Sequence, residues 1–191
     1  MEIPNTLVNA WTFLTKFIKS PRTVGSVIPS SRFLVRAMLQ PIDWAHTRSL
    51  VELGAGTGVL TRSIRKRCRS DCQVAVFERD PEMREMLQKE FPEFIIRSNA
   101  EDIHHVIRSL DMEPVDCIIS SLPFANFSAD VRERIIDNVY RSLRPGGLFV
   151  AYQYSLQMRP LLEKKFNLRQ VRFVPWNIPC AFVYVCIKGT E

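Results

Sequence analysis

The chain has 191 residues, 46% apolar and 24% charged, a size and balance that fit one folded domain with its own core. No apolar run approaches the roughly 18 residues of a spanning helix, which excludes an obvious membrane span, and the composition excludes a mostly disordered chain. The formal charge of +6 suits an anionic partner, membrane surface or nucleic acid, and is equally at home on a small enzyme with neither.

The first 48 residues read as helical. Leu7, Trp11, Leu14 and Ile18 recur at helix spacing, filled out by Ala10, Phe13 and Phe17, with Lys16, Lys19 and Arg22 close behind. Such a segment can lie in a membrane interface or pack over a sheet. After the turn GSVIPSS, Ser30 or Ser31 is expected to cap a second helix reaching about Leu39. The start MEIPNTLVNAW lacks the charge and apolar pattern of a secretory signal, so residence in the cytoplasm is expected.

From residue 49 apolar runs alternate with helix-period stretches, the pattern of an α/β fold with a parallel sheet and crossover helices. Strands are expected at Ser49–Leu53, Val74–Glu78, Phe94–Arg97, Cys117–Ser121, Leu148–Tyr152, Leu168–Phe173 and Ala181–Ile187. Helices are expected at Gly58–Arg67, Pro81–Lys89, Ile103–Leu110, Ala129–Ser142 and Gln157–Lys165. The stretch LRPGG, Leu143–Gly147, reads as a hinge between helix and strand. Residues 1–48 form an N-terminal helical segment in this reading and 49–191 the core of a single domain. The five cysteines, Cys68, Cys72, Cys117, Cys180 and Cys186, include no CxxC pair and no histidine at zinc spacing, so reduced thiols and no metal site are expected.

Three of the seven glycines stand in LVELGAGTGVL, residues 50–60. Glycine there permits positive φ and lets a ligand touch bare backbone. The spacing departs from two familiar phosphate loops: Val59 occupies the third glycine of a GxGxxG fingerprint, and no Lys-Ser/Thr pair completes a P-loop. What stands is ExGxGxG, with Glu52 two positions before Gly54, a poor neighbour for a pyrophosphate and a good one for a cation. Glu78 ends the next strand about twenty residues on, where a carboxylate can accept ribose hydroxyls. SNAEDI follows strand three and CIISSLPFANF contains strand four.

Taken together, residues 49–155 resemble class I methyltransferases that use S-adenosylmethionine (SAM), ExGxGxG being similar to their motif I. The resemblance implies a Rossmann-like sheet of seven strands, the last antiparallel, with SAM as cofactor. It implies that Glu52, Gly54, Ala55, Gly56, Gly58, Glu78, Asn99, Ala100 and Ser120 hold the cofactor. Asn99 departs from the family's usual acidic residue but keeps an amide oxygen that can accept from the adenine amino group. Asp102 fits the family position and, equally, a helix N-cap. Ser121-Leu122-Pro123-Phe124 is similar to the element that amine-modifying members place beside the transferring methyl. Ser121 would accept a hydrogen, and Phe124, Tyr152 and Tyr154 would surround the methylated cation.

Beyond that core, residues 13–64 with SSLPF and WNIPCAFVYV look like bacterial phospholipid N-methyltransferases, which methylate phosphatidylethanolamine towards phosphatidylcholine. The resemblance implies an anionic membrane surface and a phospholipid as partners, with Trp11, Lys16, Lys19, Arg22, Ser30 and Ser31 (and Arg32) at the lipid, and peripheral binding to the inner face of the cell membrane; the oligomeric state is left open, with a monomer expected. A second likeness is to the NLPY element of rRNA adenine N6-dimethyltransferases. Those enzymes add a C-terminal helical domain, for which no sequence is expected here, so no nucleic acid is expected. A small soluble amine, and a non-enzymatic scaffold, are the other readings.

Overall fold

Ser49–Leu53 (β1) is buried at all five positions, as a strand covered on both faces must be. In the computed structural model, which describes residues 31–112 and 114–190, β1 runs parallel between Gln73–Phe77 (β2) and Val115–Ser120 (β4). Ile95–Arg97 (β3) flanks β2 and Leu143–Gln153 (β5) flanks β4, both in parallel. An antiparallel hairpin, Asn167–Val174 (β6) and Ala181–Ile187 (β7), completes a seven-stranded sheet in the order β3-β2-β1-β4-β5-β7-β6. The expected α/β, Rossmann-like architecture with its last strand antiparallel is what the chain adopts.

Helices cover both faces: Arg32–Leu39 (α1), Val59–Arg65 (α2), Pro81–Glu90 (α3), Ile103–Ser109 (α4), Ala129–Ser142 (α5) and Arg159–Lys165 (α6). Their starts follow local chemistry. Ser31 Oγ accepts from the Leu34 amide at 3.2 Å, Asp80 accepts from Glu82 and Met83 ahead of a first-turn proline, and Ser128 accepts from Val131, each satisfying amides that a helix start leaves unpaired. Strand alternation then divides the core. Leu50 joins a cluster with Leu34, Met38, Ile64 and Val183, whereas Val51 and Leu53 join Phe77, Ile107, Ile136 and Phe149 on the other face. Through Leu34, Val35, Ala37, Met38 and Leu39, α1 belongs to the first cluster. The N-terminal readings at Trp11, Lys16, Lys19, Arg22 and Ser30, and the helix expected around them, lie outside the described residues.

Two elements differ from expectation. LRPGG does end a helix, at Ser142, but the chain continues at once as strand: Leu143 pairs with Val115 and Leu148 with Cys117, and a bulge absorbs the intervening residues. Gly146, at φ 73°, makes the turn that this requires. The helix expected from Gln157 begins at Arg159.

At the amino end of the sheet one carboxylate gathers three strands. Asp116 Oδ2 accepts from the amides of Arg48 and Ser49 at 2.8 and 3.0 Å, and Oδ1 accepts from Arg144 Nε at 2.6 Å. Burial alone would raise its pKa, but these bonds outweigh it and hold the carboxyl below its ordinary value.

Candidate active site

The opposite, carboxyl end of the parallel strands opens into a cleft of about 830 Å³. It lies where the connections leave β1 towards β2 on one side and β4 on the other, the crevice at which open α/β sheets take ligands. Gly54 and Gly56 border it from β1, Glu78 and Asp80 from β2, Asn99 and Ala100 from β3, and Ser121, Leu122, Pro123 and Phe127 from β4.

Backbone bonds set the course of the glycine loop. Gly54 and Ala55 donate to the last carbonyl of β2, Phe77 O, at 2.8 and 3.2 Å, and Gly58 donates to Ala55 O at 3.0 Å. The three glycines have positive φ but separate duties. A Cβ on Gly54 would come within 3.1 Å of Leu122 Cδ2, so this position lets the β1 and β4 loops touch. A Cβ on Gly56 would meet nothing within 4 Å; it faces the open cleft. One on Gly58 would strike Leu87 Cδ2 at 2.9 Å and Phe91 at 3.3 Å. Gly58 therefore serves the packing of α2 on α3, a correction to its expected contact with cofactor.

Glu78 is half-buried, its oxygens accepting from the Gly56 amide at 2.7 Å and the Asp80 amide at 2.9 Å. Both oxygens keep lone pairs towards the cleft, so the carboxylate is fixed in place for hydroxyl donors. Glu52 differs. It is fully buried beneath α2, Oε2 accepts from Thr61 Oγ1 at 2.8 Å, and Oε1 has no partner among the described residues. Burial pushes its carboxyl up to about 8, against the Thr61 hydrogen bond and with a smaller push from the charge on Glu78. Burial thus favours the protonated carboxyl at Glu52 in the ligand-free protein and weakens the charge expected there. A carboxylate set for hydroxyls beside bare backbone at Gly56, on the same cleft, fits a hydroxylated ligand such as SAM.

Other expected contacts are redirected. Asn99 donates to Asp102 Oδ2 at 2.8 Å and accepts from the Glu101 amide at 3.0 Å, so its side chain closes the local turn and only its edge borders the cleft. Asp102 stands at the N-cap of α4 but makes no side-chain cap bond. Ser120 is fully buried, with Oγ accepting from the Leu122 amide at 3.3 Å; it shapes the turn and does not line the cleft. Phe124 is the largest correction. It is 0% exposed, in the core edge-to-face with Phe127 at 5.9 Å, because a short 3-10 turn over Phe124–Asn126 rotates it inward. Phe127 reaches the cleft instead. The Phe-x-x-Phe spacing brings both rings to one turn, but nothing in it tells which of them the turn buries. Tyr152 packs against Tyr154 at 5.6 Å beside the α1-side core and does not border the cleft, and burial raises the Tyr154 phenol. Ser121 is as expected in position: half-buried, on the cleft, its amide donating to Leu53 O at 2.8 Å and its hydroxyl unpaired among the described residues. Ser31 caps α1, and its amide donates to Asn177 Oδ1 at 3.0 Å.

A family model described as a methyltransferase domain matches residues 50–147, the span from β1 to the β5 bulge. An ornithine lipid N-methyltransferase of Singulisphaera acidiphila is 32% identical over 183 residues, covering 91% of this chain and 93% of that one. A ubiquinone/menaquinone biosynthesis C-methyltransferase of Methylococcus capsulatus is 27% identical over 71% of this chain and 56% of its own length. In fold, the chain is similar to the 1,6-didemethyltoxoflavin N1-methyltransferase of Burkholderia thailandensis, solved with S-adenosylhomocysteine, at TM-score 0.67 and 13% identity over 99% of this chain and 92% of that one. It is also similar to the N-methyltransferase NodS of Bradyrhizobium japonicum, at TM-score 0.61 and 14% identity over 75% and 86%. With the cleft described above, these likenesses place the chain in the methyltransferase-domain family: it is a class I methyltransferase with SAM as its cofactor.

Proposed function

We propose that the chain methylates the amine head group of a membrane lipid, phosphatidylethanolamine in the first instance. The observation that supports a lipid amine as acceptor is the extent of the likeness to the ornithine lipid enzyme, 91% of the chain, well beyond the 50–147 core shared with methyltransferases at large; phosphatidylethanolamine is the head group the sequence resemblance implies. Acceptor choice resides outside such a core, in loops and flanking elements. The same relative favours a second reading, an ornithine lipid as acceptor.

The cleft chemistry supports an amine. SAM, when bound, supplies a methyl group already activated on a sulfonium, so the protein has chiefly to align the acceptor and exclude water. Leu122, Pro123 and Phe127 make the acceptor side apolar, which favours a neutral, nucleophilic amine over an ammonium. The Ser121 hydroxyl, without a partner among the described residues, can accept a hydrogen from the nitrogen and orient its lone pair, and the Phe127 ring offers a π face to the cation. Incubation of the purified chain with methyl-labelled SAM and, separately, vesicles of phosphatidylethanolamine, vesicles of ornithine lipid, and rRNA tests the proposal. Label in the first supports the first reading, and label in the second alone supports the second. Label in RNA, or in none of them, overturns both.

A further inference from the structure

Six large apolar side chains are well exposed among the described residues: Phe33, Met86, Leu156, Phe173, Trp176 and Ile178. All but Met86 gather at or beside the carboxyl end of the sheet, where the cleft opens. Leu156 follows β5, Phe173 is next to last in β6, and Trp176 and Ile178 form the β6–β7 turn. Phe33, in the first turn of α1, lies 6.5 Å from Trp176 between ring centroids. Register fixes the placement: Gln153, the last residue of β5, pairs with Phe182, and Phe182 pairs with Phe173, so the hairpin tip projects past the same edge as the active-site loops.

The tip is held rigid. Asn177, between the two exposed residues, is only 4% exposed; it donates to Pro179 O at 2.7 Å and accepts from the Ser31 amide at 3.0 Å. With Asn177 turned in, Trp176 and Ile178 point out, at 72% and 77% exposure. Cations border them. The Arg32 guanidinium lies 5.0 Å from the Phe33 ring centre, Arg36 is exposed one turn on, and Arg172 is bonded to the neutral Gln40 amide at 2.6 Å instead of to a carboxylate. A preordered tryptophan-led apolar tip rimmed with arginine is complementary to an anionic bilayer interface, where indole and guanidinium both sit well.

We propose that the β6–β7 tip, Trp176 and Ile178 with Phe33 behind them, inserts into the interface of an anionic membrane and sets the cleft against the lipid head groups. The inference rests on the lipid reading above, and it adds a docking surface to the N-terminal segment on which the sequence placed membrane contact.

Two measurements on the full chain test it. In a Trp11→Phe/Trp44→Phe variant, checked for fold by circular dichroism, Trp176 is the remaining tryptophan. Vesicles of phosphatidylcholine with phosphatidylglycerol should shift its emission to the blue, and brominated acyl chains should quench it. In the otherwise native chain, Trp176→Ala/Ile178→Ala should weaken co-sedimentation with those vesicles by roughly tenfold and leave SAM affinity unchanged. Unchanged Trp176 emission on vesicles that the chain does bind overturns the proposal, as does undiminished co-sedimentation of the double variant. Emission already blue and shielded from iodide without vesicles means that residues 1–30 or a second copy cover the tip, which also overturns it. Lipid labelling with a silent Trp176 sinks the tip alone, whereas insertion without lipid labelling sinks the substrate reading alone.

Discussion

The side-chain amide of Gln153 donates to the Leu122 carbonyl at 2.9 Å, tying the last residue of β5 to the loop that follows β4. Gln153 is buried, so the bond is shielded from water and its loss leaves a polar group unsatisfied. Gln153 is thus a positioning residue for Ser121 and Phe127, which flank Leu122 on the acceptor side. Gln153→Ala should lower kcat for methyl transfer by roughly tenfold or more while SAM affinity stays within about twofold. Steady-state kinetics paired with calorimetry separate the two; an equal loss in both would show that the residue supports the whole cleft.

The glycines should part company on substitution. Gly56→Asp puts a side chain and a charge into open cleft and should abolish SAM binding by calorimetry. Gly58→Ala meets Leu87 and a left-handed backbone, and should cost about 1–3 kcal/mol of stability with SAM binding retained below the melting transition. Equal effects on binding from both would contradict the division of roles.

Much of this was legible beforehand, and the reason is physical. Glycine at positive φ and a carboxylate at a strand end are set by backbone geometry, so spacing together with the resemblance to motif I singled out Gly54, Gly56 and Glu78, which border the cleft. Buried parallel strands announce themselves as apolar runs. What spacing cannot convey is the rotation of a short turn, which turned Phe124 inward and Phe127 outward, or the closing of a local turn by Asn99 on Asp102. Nor could it show whether the carboxyl of Glu52 keeps its proton, since that depends on how completely α2 covers it. The outward pair in WNIPC required knowing that Asn177 faces in.

Glu52 makes the ligand-free protein sensitive to alkali. Its folded pKa, about 8, lies above the ordinary value of 4.5, so between those values the folded state binds a proton that the unfolded state does not. The contribution is fully present below the ordinary value and disappears as pH rises through about 8. Thermal melts from about pH 5 to pH 9 should therefore show stability in Glu52→Gln falling less steeply than in the parent. Parallel curves would remove the buried acid from the account.

The two phenylalanines should respond in opposite ways. Phe124→Ala empties a core site and should destabilise by roughly 3–5 kcal/mol. Phe127→Leu stays apolar and keeps most of the volume but removes the π face, and should reduce turnover of the amine with a smaller change in melting temperature. Denaturant titration beside acceptor kinetics checks the pair, and a larger stability loss from Phe127→Leu would reverse the assignment.

The Asp116 clasp sits as far from this chemistry as the sheet allows. By fastening β1, β4 and β5 at their amino ends, it steadies the frame from the side opposite the cleft. Substitution there should loosen the whole assembly under acid or heat before it altered any choice of acceptor, whereas the loops at the far rim are free to vary in sequence without unseating the frame that carries them. A frame braced from the far side can in this way hold the cofactor loops steady whatever the rim carries.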